Sequence, residues 1–262
     1  MSRFPLTIGL AAFAVALSAC AKDTPVVRVQ GDCAVAYQGE VCTWAMMQGT
    51  TVLEVGATLP MTSIQNAPDD EHMAWPPVAA VAPSMPEAAQ SRAGLTHLTM
   101  FWEAGGHPPA PYMTPHFDFH FYTIPPADRA DIDCTDQTKP AALPTGYDLR
   151  DEVLPPEMAA MIGVDTLVGI CVPQMGMHSL LASELESTEV FRGSMVLGYY
   201  HGKPIFIEPM LTRALLMERQ SFDLPIPEIP GMADPHPRAF RAEYDPEQDA
   251  YNFVFTDFAP GA

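Results

Sequence analysis

Residues 116–122 read HFDFHFY, and bulky apolar side chains alternate with polar ones along this stretch. Successive side chains of a β-strand point to opposite faces of the sheet, so the three phenylalanines share one face. That face predicts a strand packed against a hydrophobic core. The opposite face carries His116, Asp118 and His120, which is an unusual polar set for a strand that only meets solvent.

Short β-type segments also occur on both sides of this strand. They lie at residues 41–47, 51–55, 97–103, 167–172, 190–200, 203–210, 239–244 and 251–258. The 28 prolines interrupt helices and confine strands to short pieces. We therefore predict a mainly β fold, an antiparallel sandwich or barrel with long Pro-rich loops and one or two short helices. Residues 64–93 are predicted to be irregular but packed, and a short helix is expected at residues 157–162.

The N-terminus has the organisation of an export signal. Arg3 precedes an apolar stretch, residues 6–17, that is too short to span a bilayer comfortably. The stretch ends in Leu-Ser-Ala-Cys20, which resembles the bacterial lipobox and implies a lipid on Cys20. The alternative is an ordinary signal peptide cleaved after Ala19. We predict a signal peptide at 1–19, a lipidated Cys20 and linker at 20–30, and a single β-rich domain at 31–262.

Charge and cysteine content limit the partners and the compartment. The formal net charge is −19 and only 13 residues are Lys or Arg, so nucleic-acid binding is not expected. The expected partners are a membrane, reached through the lipid, and a small-molecule ligand. Beside Cys20, four cysteines remain, and an even number fits an oxidising compartment. Three pairings are possible, and we favour Cys33–Cys42 and Cys134–Cys171.

The polar face of residues 116–122 predicts a metal site. His116 and His120 are about 13 Å apart at Cα in a regular strand, so they share one ion only with strain. Further ligands must come from other segments, and His178 and Glu208 are the best candidates because buried carboxylates are costly without a cation. His107, in a Gly-Gly-His-Pro-Pro loop, is another.

We predict His116, His120, His178 and Glu208 as ligands of a divalent ion (Zn, Fe, Mn or Cu), with Asp118 as the catalytic residue that orients a histidine or acts as general base. The alternative is a polar cluster of hydrogen-bonded histidines. Four other histidines are predicted to be surface or turn residues: His72, His97, His201 and His236. A copper-trafficking role is weakly supported, because the 16 methionines are dispersed.

Several of these segments together resemble an uncharacterised family of secreted bacterial proteins and lipoproteins. The shared features are the PHFDFHFY strand at residues 115–122 and the FIEPM strand at residues 206–210. The resemblance covers roughly residues 30 to 215 and implies an exported β-domain. The outer-membrane expectation comes instead from the resemblance to lipoproteins, because Ala21 rather than Asp follows Cys20. Similarity to cupin metal barrels is only loose, since cupins pair histidines at i, i+2 and this strand pairs them at i, i+4.

Two functions follow from these features. The first is a metal-dependent enzyme in the cell envelope that acts on a small molecule. The second is a non-catalytic envelope protein that binds a ligand or a partner. The two differ in geometry, because a catalytic metal keeps an open coordination position beside a pocket and a structural metal does not.

Overall fold

The structure is a computed structural model that describes residues 24–70 and 74–258. The predicted signal peptide, the lipidation site at Cys20 and His72 lie outside the described residues. In the part of the chain that is described, no helix is long and apolar enough to cross a membrane.

The described residues form mostly β-strands. In chain order the strands are β1 (Val26–Ala36), β2 (Gly39–Gln48), β3 (Thr51–Pro60), β4 (His97–Glu103), β5 (His116–Tyr122), β6 (Tyr147–Asp148), β7 (Glu152–Val153), β8 (Thr166–Leu167), β9 (Met177–Leu181), β10 (Gly193–Tyr200), β11 (Lys203–Thr212), β12 (Phe222–Pro225), β13 (Ala239–Asp245) and β14 (Ala250–Thr256).

Helices are short and lie in the connections. They are α1 (Met61–Gln65), α2 (Glu87–Ala93), α3 (Pro126–Ala130), α4 (Pro156–Ile162), α5 (Ala182–Leu185) and α6 (Arg213–Met217), with two 3-10 turns at Ala110–Tyr112 and Val168–Ile170. Of the six α-helices among the described residues, four directly follow a proline, and two have a proline as their first or second residue. At these positions the missing N–H of proline costs little. The sequence predicted only one or two such helices.

Two six-stranded antiparallel sheets make up the fold, with a two-stranded sheet of β7 and β8 beside them. The first has the order β1-β2-β3-β14-β13-β12 and the second the order β4-β5-β11-β10-β9-β6. Neither sheet closes on itself. The prediction of a mainly β, antiparallel fold is therefore confirmed, and of the two architectures named it is the sandwich that the structure supports.

The apolar face of β5 forms the contact between the two sheets. Phe119 packs edge-on against Phe253 at 4.7 Å between ring centroids, and Phe121 packs in the same way against Phe255 at 4.6 Å. Edge-to-face contacts of this kind are the favoured geometry of buried aromatic pairs. The core face of β5 lies where the period-two pattern placed it.

The opposite face of the second sheet is buried as well, beneath the loops. Every residue of β4 and β5 is buried, and a second apolar cluster forms between this face and the irregular segments. Tyr122 and Met210 contribute to it from the sheet, and Ile132 and Ile170 from the covering loops. The polar residues of β5 therefore lie in an enclosed layer.

Two disulfides hold the fold, and both pairings are those predicted. Cys33 and Cys42 face each other across β1 and β2, with a Cα–Cα distance of 4.1 Å. Cys134–Cys171 joins two covering loops across 37 residues. The disulfides indicate an oxidising, exported location. They also remove Cys33 and Cys42 as metal ligands, although Glu40 lies beside them.

Three sequence predictions need correction. Residues 167–172 do not form one strand, because β8 ends at Leu167 and the positive φ of Gly169 and Ile170 (60° and 51°) folds the chain into a 3-10 turn. The linker predicted at residues 20–30 is partly structured, since β1 begins at Val26. Residues 64–93 pack as predicted but include helix α2, and Val81 and Ser84 bridge to β4.

Candidate metal centre

The sheet register brings polar side chains together on the loop-covered face. Asp118 of β5 lies opposite Met210 of β11, and Phe206 lies opposite Tyr122, so Glu208 is the β11 residue level with His120. On the far side of β11, strand β10 follows and then β9, which carries His178.

One group, which we call the first triad, consists of His120, His178 and Glu208. The two Nε2 atoms are 3.3 Å apart, and Glu208 Oε2 lies 3.5 Å from His120 Nε2 and 4.0 Å from His178 Nε2. Three ligands of one tetrahedral zinc ion, with bonds of about 2.0–2.1 Å, are about 3.3 Å from one another. The triad is therefore close to the spacing that one ion requires.

A backbone hydrogen bond orients His178 within the first triad. His178 Nδ1 lies 2.9 Å from the carbonyl oxygen of Ile170, and because a carbonyl only accepts, Nδ1 donates and Nε2 carries the lone pair. Metal-binding histidines are oriented in this way by a backbone carbonyl. Glu208 Oε2 is buried without a hydrogen-bond partner, and the side chain is only 2% exposed.

Burial sets the ionisation of this triad. Burial lowers the pKa of His178 to about 4, and burial together with the nearby His178 holds the pKa of His120 well below its usual value. Both imidazoles are neutral at pH 7 and can act as ligands. Burial and the charge of Asp118 raise the pKa of Glu208 well above its usual value. A bound cation would remove the cost of ionising this carboxyl group.

A second group, the second triad, consists of His107, His116 and Asp118. His116 Nε2 is 3.2 Å from Asp118 Oδ1, and His107 Nε2 is 3.4 Å from Asp118 Oδ2. The Nδ1 atoms again donate to backbone carbonyls, from His116 to Thr114 at 2.6 Å and from His107 to Pro108 at 2.8 Å. Both imidazoles thus direct Nε2 at one carboxylate.

The second triad differs from the first in the ionisation of its side chains. Burial lowers the pKa of His107, but the hydrogen bond and charge of Asp118 outweigh it and raise the pKa to about 9. Burial opposes ionisation of Asp118, yet the charge of His116 and the hydrogen bonds from His107 and His116 hold its pKa well below the usual range. Without a metal, this triad is an ion pair.

A cavity of about 70 Å³ connects the two triads. Its polar floor includes His107 and Asp118 from the second triad and His178 and Glu208 from the first, with the buried carboxyl group of Glu103 alongside. Its walls are apolar and include Leu154, Met158, Ile162, Leu167, Val172 and Met175. Each triad therefore contributes residues to the lining of the same cavity.

The predicted ligands are only partly brought together. His120, His178 and Glu208 form one group, whereas His116 belongs with Asp118 and His107. His107 was considered from the sequence but was left out of the predicted ligand set. Its loop is fixed by Gly106 (φ 71°), where a Cβ would collide with backbone atoms of the following turn, and no periodic pattern marks such a position.

Two of the histidines predicted to be surface or turn residues are buried. His97 lies in β4, is 1% exposed and stacks on Tyr122 at 4.7 Å between ring centroids. His236 is 8% exposed. Only His201 among the described ones is at the surface, where it contacts Asp136 at 2.6 Å.

Comparisons with known protein families, with curated proteins and with solved structures found no match. The resemblance to a family of secreted proteins with the PHFDFHFY strand therefore stays a prediction. The interpretation of the two triads rests on the geometry of this chain.

Proposed function

We propose that this protein is a metal-dependent enzyme of the cell envelope that acts on a small molecule with an apolar body. The observation that carries the proposal is the convergence of His120 Nε2, His178 Nε2 and Glu208 Oε2, within 3.3–4.0 Å of one another, where His178 and Glu208 line a cavity. The orphaned buried oxygen of Glu208 supports a cation rather than a closed hydrogen-bond network.

The donor set narrows the choice of metal. Two imidazoles and one carboxylate are ligands of catalytic zinc and of non-haem Fe(II). Octahedral ligands at about 2.1 Å would lie about 3.0 Å apart, and the observed spacing is wider, which favours four-coordinate zinc. Three protein ligands leave one position for water or substrate, and two of the three, His178 and Glu208, line the cavity.

Each residue of the first triad has a distinct task. His178 is held by the carbonyl of Ile170, so its Nε2 is already aimed at the ion position. His120 is fixed by aromatic neighbours, with Phe206 edge-on at 4.7 Å. Glu208 supplies the negative charge. When bound, a zinc ion would polarise a carbonyl or phosphoryl oxygen and lower the pKa of a water molecule, which suits hydrolysis.

The cavity supports the substrate class. Its lining is mostly apolar and includes a small number of polar groups, an arrangement typical of small-molecule sites. A substrate would bury its apolar part against the walls and present its reacting group to the metal. The catalytic role of Asp118 stays a prediction, since both of its carboxylate oxygens already face imidazoles.

The proposal also places the protein on a membrane. The Leu-Ser-Ala-Cys20 sequence supports a lipid on Cys20. The next residue is Ala21 rather than Asp, which supports sorting to the periplasmic face of the outer membrane. Cys20→Ala should move the protein from the membrane fraction to the soluble periplasmic fraction. Unchanged membrane association of this variant would contradict the lipid anchor and leave the metal site unaffected.

Metal content is the first test of the metal site. The full chain is extracted in detergent, purified without a His tag, loaded with zinc and dialysed against metal-free buffer. We expect His120→Ala and Glu208→Gln to lose one equivalent of zinc, and His201→Ala, which changes an exposed histidine, to lose none. Equal zinc content in all four proteins would contradict the proposal.

Activity is tested separately from binding. The zinc-loaded protein is screened for hydrolysis of esters, amides and phosphoesters of small apolar alcohols and amines. Turnover that disappears in Glu208→Gln supports the enzyme. Zinc binding without turnover in any of these classes would contradict the hydrolytic enzyme and favour a metal-dependent ligand-binding protein.

A further inference from the structure

The second triad has the same construction as the first, although the two share no residue. We propose that His107, His116 and Asp118 form a second cation site, so that the cavity contains a two-metal centre. Site geometry alone supports this second ion, and it does not require that the protein be an enzyme.

The argument begins with the hydrogen bonds of the two histidines. Both Nδ1 atoms donate to backbone carbonyls, those of Pro108 and Thr114, so a neutral ring carries its lone pair on Nε2. Each Nε2 then faces a carboxylate oxygen of Asp118. Two lone pairs at this distance repel each other unless a proton or a metal cation lies between them.

The buried atoms of this triad are incompletely satisfied. His116 Nε2 and Asp118 Oδ1 have no partner other than each other, at 3.2 Å, although the side chains are 0% and 6% exposed. Buried polar atoms with so few partners often mark a site that serves a ligand or an ion. The Nε2–O distances of 3.2 and 3.4 Å also match the ligand spacing of about 3.3 Å around a tetrahedral ion.

The two triads are neighbours on the same sheet. Asp118 and His120 are separated by one residue of β5, which corresponds to about 7 Å between Cα atoms in an extended strand. His107 and Asp118 line the same cavity as His178 and Glu208. Two ions held by these groups would therefore face one substrate.

A second cation changes the class of reacting group that the cavity accepts. Two positive charges on the floor favour a group with several anionic oxygens, such as a phosphoester, above an apolar body. This preference rests on the proposed function. The existence of the second ion does not.

The test counts zinc in the full chain with variants at each triad. After loading with zinc and dialysis against metal-free buffer, we expect two equivalents in the wild type and in His201→Ala. His107→Ala should retain one, His178→Ala should retain one, and the double variant should retain none. His107 lies in a loop and is 29% exposed, so its replacement should leave the fold intact, which circular dichroism verifies. His107→Gln is a second replacement at the same position and should show the same zinc content as His107→Ala.

The outcomes separate the two proposals. One equivalent in the wild type, lost in His178→Ala and kept in His107→Ala, overturns the second site and leaves the proposed function. One equivalent lost in His107→Ala and kept in His178→Ala supports the second site and overturns the first. A single equivalent lost in both variants means one shared ion and overturns the two-metal centre, as does a wild type without zinc.

Inorganic phosphate probes the expected substrate class. Calorimetric titration of the zinc-loaded wild type should show phosphate binding that is at least tenfold weaker in zinc-loaded His107→Ala. Equal affinities would overturn the preference for a group with several anionic oxygens, whatever the zinc count.

Discussion

Replacing Glu208 by glutamine should change stability in opposite directions in the metal-free and the zinc-loaded protein. The amide has nearly the same shape as the carboxyl group, so packing on the loop-covered face is kept. Without metal, the buried carboxyl group of Glu208 has a raised pKa, and its contribution to stability is fully present below about pH 4.5 and is lost as pH rises through the folded-state pKa. Glutamine does not ionise. The metal-free variant should thus be at least as stable as the metal-free wild type at pH 8.

With zinc the order should invert. A ligand that binds only the folded state stabilises it by about 2.7 kcal/mol at a free concentration of 100 times Kd. For a domain of this size each 1 kcal/mol raises Tm by about 2–4 °C, so zinc at the first triad should raise the Tm of the wild type by about 5–11 °C. Glu208→Gln removes the negative ligand of the first triad, so its zinc-induced shift should be smaller than that of the wild type by about this amount, and zinc at the second triad should account for any shift that remains.

Thermal unfolding followed by circular dichroism measures both effects on EDTA-treated protein, with and without zinc. His201→Ala is the matched control and should follow the wild type under both conditions. Equal zinc-induced shifts in the wild type and Glu208→Gln would refute the assignment of Glu208 as a ligand. A metal-free variant that is much less stable than the wild type would instead show that Glu208 takes part in ordinary structural hydrogen bonds.

Two further measurements test the environment of the triads. Burial depresses the pKa of His178 to about 4, so the stability that its neutral form confers is present above about pH 6.5 and is lost as pH falls towards 4. Urea unfolding of the metal-free protein should show this loss of stability. The loss should be smaller in His178→Gln. Removal of the Cys134–Cys171 disulfide by serine substitution should lower the free energy of unfolding by about 4 kcal/mol, given its 37-residue separation. It should also weaken zinc binding by about 10–100-fold, because Cys171 is adjacent to the carbonyl that orients His178. The Cys33–Cys42 double serine variant should cost about 2.7 kcal/mol for its separation of 9 residues and leave the zinc affinity unchanged; equal effects on zinc affinity would contradict the orienting role.

The fold was predictable where the signal is local. The alternation in residues 116–122 depends only on strand geometry, so it identified both the core face and the polar face of β5 without knowledge of the partner strands. The short helix predicted at residues 157–162 depends on equally local features, and it forms as α4 (Pro156–Ile162). The 3-10 turn at residues 168–170 was missed because an apolar run does not reveal positive φ at Gly169 and Ile170.

The order of the strands in each sheet could not be predicted from the sequence, and this order decides which side chains meet. Strand β11 pairs with β5 across 84 to 96 residues of sequence, with β10 on its other side, and no local pattern specifies this neighbour. The same strand order brings His178, which lies in β9, close to His120 and Glu208. The sequence therefore supplied candidate ligands, while their grouping depended on long-range pairing.

The division into two triads nevertheless has a cause that is visible in the strand itself. Histidines at i and i+4 of one strand are about 13 Å apart at Cα, which is too far for one ion without distortion. The structure avoids the distortion by giving each histidine its own carboxylate: Asp118 beside His116, and Glu208 beside His120. Each pair then gains one more imidazole from outside β5, from His107 and from His178. The spacing that argued against a single relaxed site is thus the same spacing that leaves room for two.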